Sequence, residues 1–328
     1  MSQRQISSAE AASSHRISIV IPNWNGAEHL SECLESIAEQ TRAPYEVIVV
    51  DNGSTDDSIR LIQTARPDTI IIQFSANRGF AAAVNAGIQR ASGALVFLLN
   101  NDTRLEKGCL ELLRKRLLIS DTIGSVACRM VNYYDHGVLD GTGDMLSLSG
   151  IPATRGFGEP NDGRYSRSDE VFGVCAGAAL YRQSMFAKVG LFDEDFVSYY
   201  EDADIAFRAR LMGFRSLYEP DAICYHKRGA TGILMAQQQA RLERNQILYL
   251  AKNIPAGMLV PLLPVLVASR IRHWIRAGLN GSLREVLRGF GQGIACLPQA
   301  REKRRVIQRS RSVPVSELRK WLGKKSAP

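Results

Sequence analysis

The sequence is poor in the features that mark zinc-finger, disulfide-rich and exported proteins. Its six cysteines lie far apart, with no C-x-x-C pair and no histidines at zinc-finger spacing, which favours a reduced, cytoplasmic setting. Residues 1–15 are polar and rich in Ser and Ala, and they lack the apolar stretch that a secretory signal needs. We therefore expect a chain that is not exported, with 1–15 as a flexible tail.

Two common phosphate-binding loops are also missing. The first apolar run is followed by Pro22-Asn23-Trp24-Asn25-Gly26 instead of G-x-G-x-x-G, and no G-x-x-x-x-G-K-[ST] sequence occurs anywhere in the chain. The sequence therefore lacks the main feature that would identify a dinucleotide-dependent dehydrogenase or a P-loop nucleotidase.

The composition is that of a folded protein with an uneven charge. Of the 328 residues, 45% are hydrophobic and 23% are charged, which is too apolar for a disordered chain. Residues 269–328 hold 15 Lys or Arg against 3 Asp or Glu, whereas the remaining residues hold 26 against 30. The body is mildly acidic and the C-terminal part is strongly basic.

The first hundred residues alternate between β-branched runs and amphipathic stretches. The runs predict strands, and the stretches between them predict helices, one of them with Ser54 as its cap. The predicted strands are Arg16–Ile21, Tyr45–Val50, Thr69–Phe74 and Ala94–Leu99, and the predicted helices are Ala27–Gln40, 54–65 and Phe80–Ala91. This order indicates an α/β protein with a mainly parallel central sheet flanked by helices.

Polar segments follow each predicted strand. In open parallel sheets ligands bind outside the carboxyl ends of the strands, so these segments are the candidates for a binding site. Turn chemistry explains any one of them equally well. The segments are 22–26, 51–56, 77–80 and 100–102.

Five motifs, in this order, resemble glycosyltransferase family 2, and in particular its rhamnosyltransferase-like branch. They are SIVIPNWNG (18–26), VDNGSTD (50–56), NRGFAAAVNAG (77–87), LLNND (98–102) and YYEDADIAFRAR (199–210). The resemblance implies inverting transfer and a GT-A fold, the Rossmann-like fold of nucleotide-diphospho-sugar transferases. It also implies a domain over 16–253, with a nucleotide-sugar half (16–130) and an acceptor and catalytic half (131–253).

The resemblance assigns the donor nucleotide to the first polar segments. Asp51 matches the position that accepts a hydrogen bond from the base, and a carboxylate suits the imide N–H of uracil or thymine. A turn role is the alternative for Asp51. The other residues placed at the nucleotide are Pro22, Asn23, Asn25, Asn77, Arg78, Gly79 and Asn101.

Asn100-Asn101-Asp102 occupies the place of the family's D-x-D motif, which implies a divalent cation, Mg²⁺ or Mn²⁺, at the donor diphosphate. Asp102 is the carboxylate ligand, and His226 matches a histidine that can contact the metal. Asn100 departs from the motif, so weaker metal binding is an open alternative. Another is that Asp102 caps a helix beginning near Leu105.

The segment after Tyr200 resembles the family's catalytic segment. Asp202 matches the general base that removes a proton from the acceptor hydroxyl, and Glu201 and Asp204 are expected to orient the site. Capping of the following helix is the alternative role for these carboxylates. The loop-rich segment Val131–Asp169 resembles an acceptor region, and Cys175 and Gly177 are placed beneath the acceptor.

The C-terminal part, 254–328, is apolar at first and then basic, and we expect helices there. Ile254–Ser269 carries no charge but is too short to span a bilayer, which favours an interfacial segment. The basic residues beyond it suit an anionic membrane surface. Nucleic acid is the weaker alternative, since no recognised binding motif is present.

These observations predict a metal-dependent enzyme at the cytoplasmic face of the cell membrane. It would transfer a sugar, best matched by L-rhamnose from dTDP-rhamnose, to a hydroxyl of a glycan or a polyprenyl-linked acceptor in cell-surface polysaccharide synthesis. A sugar-phosphate nucleotidyltransferase and a non-catalytic sugar-nucleotide-binding protein are the alternatives. The sequence does not indicate an oligomeric state.

Overall fold

The computed structural model describes residues 15–228 and 235–324. The first part alternates strands and helices as the apolar periodicity predicts, with ends that differ from the predicted ones by a few residues. The strands are β1 (Ile17–Asn23), β2 (Glu46–Asp51), β3 (Ile70–Gln73) and β4 (Leu95–Leu99). The helices between them are α1 (Ala27–Ala38), α2 (Ser58–Ala65) and α3 (Phe80–Arg90).

These four strands are parallel and lie in the order β4-β1-β2-β3. Asn23 pairs in register with Asp51, and Asp51 with Gln73, so the strands end side by side at one edge of the sheet. The polar segments that follow them therefore meet at that edge, as expected for a doubly covered sheet.

The second half extends the same sheet with mixed strand directions. Strand β11 runs antiparallel to both β4 and β6, while β12 runs parallel to β6. The strands are β5 (Thr103–Leu105), β6 (Ile123–Asn132), β7 (Leu139–Gly141), β8 (Asp144–Leu146), β9 (Pro152–Thr154), β10 (Asp169–Val171), β11 (Ala178–Arg182) and β12 (Arg215–His226). The helices are α4 (Cys109–Leu117), α5 (Gln183–Val189) and α6 (Glu201–Leu211), with a 3-10 turn at Glu194–Phe196. The segment expected to be loops over 131–169 thus contains three short strands.

Apolar side chains cover the sheet on both faces. In β1, Ile17, Ile19 and Ile21 point into one buried cluster with α1 and α4, and Val20 points into the other with α3. This alternation follows from the two-residue period of a strand, and burial of each such side chain contributes about 2 kcal/mol. The strand is thereby fixed in the register that presents its carboxyl end to the site.

The C-terminal part is helical and packs on the body. Phe172 and Phe207 of the body share a buried cluster with Tyr249, Met258 and Leu318 of these helices. The helices are α7 (Met235–Asn253), α8 (Ala256–Leu279), α9 (Leu283–Ala295), α10 (Leu297–Arg309) and α11 (Val315–Arg319).

The apolar segment is longer than the sixteen residues expected, because Pro261 and Pro264 do not end the helix. Both prolines are exposed inside α8, which continues to Leu279. Among the residues that the structure describes, α8 is a helix that is long enough and apolar enough to cross a membrane. Of its most apolar stretch, 11% is buried inside the protein. The apolar helix is therefore longer than expected, and the interfacial position that the sequence favours stays a prediction, since length alone does not establish a spanning helix.

A buried ion-pair network joins the C-terminal helices to the body. Lys252 of α7 pairs with Asp193 and lies 2.6 Å from Asp204, and Lys303 of α10 lies 2.6 Å from Asp193. Burial raises the pKa of Asp193, but the charges and hydrogen bonds of the two lysines outweigh it and lower that pKa to about 2. The carboxylate therefore stabilises the folded chain while it is ionised.

We predict that Asp193→Asn lowers the free energy of unfolding at pH 7 by about 2 kcal/mol. Because the folded pKa is depressed, this contribution is complete above the usual aspartate pKa and disappears as the pH falls toward about 2. Urea unfolding at pH 7, 4.5 and 3 measures it, and the difference between variant and wild type should shrink at the lowest pH.

Asp57→Asn is the matched control, since Asp57 pairs with Arg60 at the surface, 71% exposed. Exposed pairs contribute little, so this variant should unfold like the wild type. A loss for Asp193→Asn that is equal at every pH would show that the carboxylate charge is not the cause.

Candidate active site

The ends of β1, β2 and β4 are tied together by side-chain amides. The Nδ2 atom of Asn23 donates to Oδ1 of Asp51 at 3.1 Å, and Nδ2 of Asn101 donates to Oδ1 of Asn23 at 2.7 Å. A Cβ atom at Gly26 would lie 2.0 Å from the Asn101 amide, so a larger residue there would displace the hydrogen-bonded Asn101 side chain. Three of the predicted nucleotide residues thus form one connected group.

Asp51 is 2% exposed, and its two oxygens accept from Asn23 and from the backbone N–H of Ser54. Each carboxylate oxygen has a further lone pair, so the residue can organise the turn and still accept from a ligand. Its structural contacts show why an aspartate at this position also serves as a turn residue.

Ser54 does not cap α2, contrary to the sequence-based expectation. The helix begins at Ser58, and the Ser54 hydroxyl instead accepts from the Asn25 backbone N–H at 2.9 Å. The Asn25 side chain accepts from the Thr55 N–H at 2.8 Å. The serine therefore joins the first two polar segments, while Pro22 remains inside β1 opposite Val50.

The third polar segment is held by Asn52. Its Oδ1 accepts from the Arg78 N–H at 2.8 Å, and its Nδ2 donates to Oδ1 of Asn77 at 3.1 Å. The Arg78 guanidinium lies over the Phe74 ring at 4.6 Å. Gly79 has φ +90 and packs against Val197, a conformation and a contact that favour glycine.

Asp102 and His226 lie together because β5 pairs with β12. This register sets Thr103 opposite His226, and Nε2 of His226 lies 3.3 Å from Oδ1 of Asp102. No helix begins near Leu105, since Thr103–Leu105 is a strand and α4 starts at Cys109. The helix-capping alternative for Asp102 is therefore wrong.

Asp140 completes this group and was not found from the sequence. Its Oδ2 lies 2.7 Å from Nδ1 of His226, on the side of the ring away from Asp102. Burial lowers the pKa of His226, but hydrogen bonds and charges from Asp102 and Asp140 raise it overall to about 9. A neutral His226 that donates Nδ1–H to Asp140 presents the Nε2 lone pair toward Asp102, as in carboxylate–histidine–metal sites.

Among the described residues, no group of three or more His, Cys, Asp or Glu side chains is arranged to hold a metal ion. Asp102 and His226 supply one carboxylate oxygen and one imidazole nitrogen. This donor set fits a divalent cation whose remaining ligands come from a phosphate-bearing ligand and water.

A cavity of about 420 Å³ lies at the start of α6, and we name it the Asp202 cavity. Asn100, Cys175 and Gly177 line one side, and a Cβ atom on Gly177 would lie 3.1 Å from Nδ2 of Asn100. The carboxylates in its lining are Asp144, Glu201 and Asp202.

Burial raises the pKa of all three carboxyl groups, and the Asp202 charge raises the pKa of Asp144 and Glu201 further. Backbone N–H groups oppose the shift at Asp202, and that of Ala203 donates to its Oδ1 at 2.7 Å. Asp202 is thus the carboxyl group best supported as an anion, at the N-terminus of α6. Glu201 is 6% exposed, and its Oε2 has no hydrogen-bond partner.

Asp204 does not line the Asp202 cavity. It is fully buried behind it, where Arg208 donates to Oδ2 at 2.8 Å and Asn253 donates to Oδ1 at 2.7 Å. This geometry lets Asp204 orient α6 and keeps it away from a ligand in the cavity.

The loop before α6 is held by Asn245, a second residue that the sequence did not reveal. Val197, Tyr199 and Tyr200 have φ of 63, 70 and 74, which L-residues rarely adopt. The Asn245 side-chain amide donates to the carbonyls of Phe196, Ser198 and Tyr199 at 2.8–2.9 Å. Both asparagines of α7, Asn245 and Asn253, are fully buried, and their positions in the sequence gave no signal of these contacts.

Comparisons with known proteins agree with this architecture. The family model described as glycosyl transferase family 2 matches residues 18–190. A curated relative from Mycobacterium tuberculosis, N-acetylglucosaminyl-diphospho-decaprenol L-rhamnosyltransferase, is 26% identical over 82% of this chain and 96% of its own length. The uncharacterized glycosyltransferase YwdF of Bacillus subtilis is 29% identical over 59% of this chain and 68% of its own length.

Solved structures share the fold. The mannosyltransferase PcManGT from Pyrobaculum calidifontis, in complex with GDP-Man and Mn²⁺, has a TM-score of 0.53 at 20% identity, covering 90% of this chain and 84% of its own. S. aureus TarS 1–349 in complex with UDP-GlcNAc has a TM-score of 0.56 at 15% identity, covering 90% and 91%. The expected GT-A fold is confirmed. Because the family model covers more than half of the residues, the chain belongs to glycosyltransferase family 2, whose members transfer sugars from nucleotide-sugar donors.

Proposed function

We propose that this chain is an inverting transferase that moves L-rhamnose from dTDP-rhamnose to a hydroxyl of a polyprenyl-diphosphate-linked glycan. The observation that carries the transfer chemistry is Asp202 in its cavity, at the start of α6 and supported by backbone N–H donors. The choice of sugar and acceptor is supported by the mycobacterial relative, which aligns over 82% of the chain. Cell-surface polysaccharide synthesis is the process that such a product serves.

Asp202 acts as the general base in this proposal. Its carboxylate accepts the proton of the acceptor hydroxyl as that oxygen attacks the anomeric carbon, and the nucleoside diphosphate leaves from the opposite face. Burial and the Asp202 charge raise the pKa of Asp144 and Glu201, which favours their protonated forms, and these can hydrogen-bond to acceptor hydroxyls. The unpartnered Oε2 of Glu201 is available for such a contact.

The donor lies across the connected segments that follow β1 to β4. Asp51 accepts from the base, and Arg78 borders the nucleotide from the next loop. Asp102 and His226 hold a divalent cation, Mg²⁺ or Mn²⁺, with Asp140 fixing the histidine. When bound, the cation neutralises charge on the leaving diphosphate. PcManGT, which was solved with Mn²⁺, supports a cation in this fold.

The C-terminal part attaches the enzyme to an anionic membrane surface on the cytoplasmic side. Helix α8 exposes a row of large apolar side chains that nothing in the described chain covers, beside Arg272 and Arg276. Apolar contact with basic flanks favours an interfacial position. The exposed side chains are Val260, Leu263, Val265, Val267, Ile271 and Ile275.

We predict that Asp202→Asn lowers the transfer rate by about a thousandfold and leaves the donor dissociation constant within about twofold. In the wild type, the rate should fall as the pH drops through the raised pKa of Asp202, because the protonated form is no base. Initial rates and donor binding are measured side by side. Asp221→Asn, at an exposed position of β12, is the control, and retained turnover in Asp202→Asn would move the base elsewhere.

We predict that dTDP binds with Mg²⁺ or Mn²⁺ more tightly than UDP or GDP, and that Asp102→Ala weakens this binding by about tenfold or more. Titration calorimetry, with and without metal, provides a readout that needs no acceptor. Tight binding of UDP or GDP instead would overturn the rhamnose assignment. Binding that is equal with and without metal would overturn the role of Asp102.

We predict that the protein co-sediments with phosphatidylglycerol vesicles at low salt, and that Val267→Asp/Ile271→Asp abolishes this. A charged side chain at the interface opposes burial of the apolar row. The matched control is Ile119→Asp, because Ile119 is 64% exposed on the body. Vesicle binding that survives the double variant would exclude α8 as the attachment surface.

A further inference from the structure

A second cavity, of about 890 Å³, lies between α7, α9 and the loop that precedes α6. We name it the arginine cavity. Arg241 and Arg244 of α7 and Arg284 and Arg288 of α9 line it, with Glu285 as the single acidic residue in the lining. The positive excess indicates an anionic ligand.

The two arginine pairs differ in their contacts. On α7, Arg241 donates to the Ser198 hydroxyl at 2.5 Å and Arg244 donates to the Asp195 carbonyl at 2.6 Å. Arg284 and Arg288 are exposed, and neither forms an ion pair or a side-chain hydrogen bond with any residue in the described ranges. Like charges at i and i+4 destabilise a helix when no anion lies between them.

The chemistry of this lining suits a diphosphate. Guanidinium groups bind phosphate oxygens through paired hydrogen bonds, and two arginines one helical turn apart can contact two phosphates. Gln237 and Gln292 add amide donors at the rim. The arginine cavity needs no cation for this, which separates it from the Asp102 and His226 group.

The arginine cavity adjoins the Asp202 cavity along one loop and one helix. Val197 lines the arginine cavity, whereas Ser198 lines the Asp202 cavity. Arg241 lines the first and its neighbour Leu242 lines the second. The two cavities therefore lie next to each other, on either side of the hydrogen bond from Arg241 to the Ser198 hydroxyl.

Beyond the arginines, α9 presents an apolar face. Leu283, Leu287 and Ile294 are exposed on it, and α9 follows directly on α8 with its exposed apolar row. The Asp202 cavity, the arginine cavity and the exposed apolar faces of α8 and α9 thus follow one another in this order. A lipid-linked sugar has the same order of parts: sugar, diphosphate and isoprenoid tail.

We propose that the arginine cavity binds the diphosphate of the lipid-linked acceptor, with Arg284 and Arg288 as its contacts and the isoprenoid tail along α8 and α9. The identity of this ligand as an acceptor rests on the proposed function. The anion site itself rests on the lining and the unpaired arginines alone.

The test is calorimetric titration of the full-length protein with inorganic pyrophosphate and with farnesyl diphosphate, both in the presence of EDTA. We compare the wild type with Arg284→Gln/Arg288→Gln. The control is Arg301→Gln/Arg305→Gln, which removes two exposed arginines at the same spacing on α10, outside the arginine cavity. Thermal unfolding midpoints verify that both variants fold.

The expected result is that the wild type binds both probes, farnesyl diphosphate more tightly. The cavity variant weakens both by about tenfold or more, and the control variant stays within about twofold. Binding of dTDP with Mg²⁺ should be unchanged in both variants.

Four outcomes would overturn the proposal. The first is that the wild type binds neither probe, and the second is that both variants weaken probe binding equally. The third is that the cavity variant binds dTDP more weakly, and the fourth is that the cavity variant keeps its probe affinity but loses binding to phosphatidylglycerol vesicles. The third would assign the arginine cavity to the donor diphosphate, and the fourth to a lipid headgroup. Probe binding requires no turnover. A wild type that binds both probes but transfers no sugar would therefore contradict the proposed function and leave the anion site standing.

Discussion

The site depends on one constraint, which is that the loop from Val197 to Tyr200 keeps a conformation that its own residues disfavour. Three of its four residues have positive φ, and each such residue costs of the order of 1 kcal/mol. Asn245 offsets this cost by donating its amide to three carbonyls in and before the loop. Asp202 follows the loop by two residues, so the position of the proposed base depends on a side chain of α7.

This dependence makes α7 part of the framework of the candidate site. Lys252 of α7 joins Asp193 and Asp204, on either side of the loop, and Lys303 of α10 joins Asp193 from further along the chain. Of the residues after 253, Lys303 belongs to this network, whereas Arg284 and Arg288 are exposed.

Much of the parallel half of the sheet could be predicted from the sequence, because each strand there is a β-branched run whose polar continuation must lie at the carboxyl edge. The site residues near the ends of β1, β2 and β4 followed from that rule and from the motifs. Asp140 and Asn245 could not be predicted, because β7 and α7 reach the site only through tertiary packing. Ser54 was misassigned for a local reason, since a serine before a helix suits a cap and also a loop-to-loop hydrogen bond.

Asn100 shows how the two halves of the site constrain each other. It precedes Asp102 by two residues, yet it lies against Gly177 and lines the Asp202 cavity, whereas Asp102 lies beside His226. An aspartate at position 100 would place a fourth carboxyl group in a cavity that already holds Asp144, Glu201 and Asp202. Like charges in a buried space raise one another's pKa, so that change would favour protonation of Asp202, the proposed base. The neutral amide at position 100 adds no charge to the Asp202 cavity. The side chains that fit a cation are Asp102 and His226.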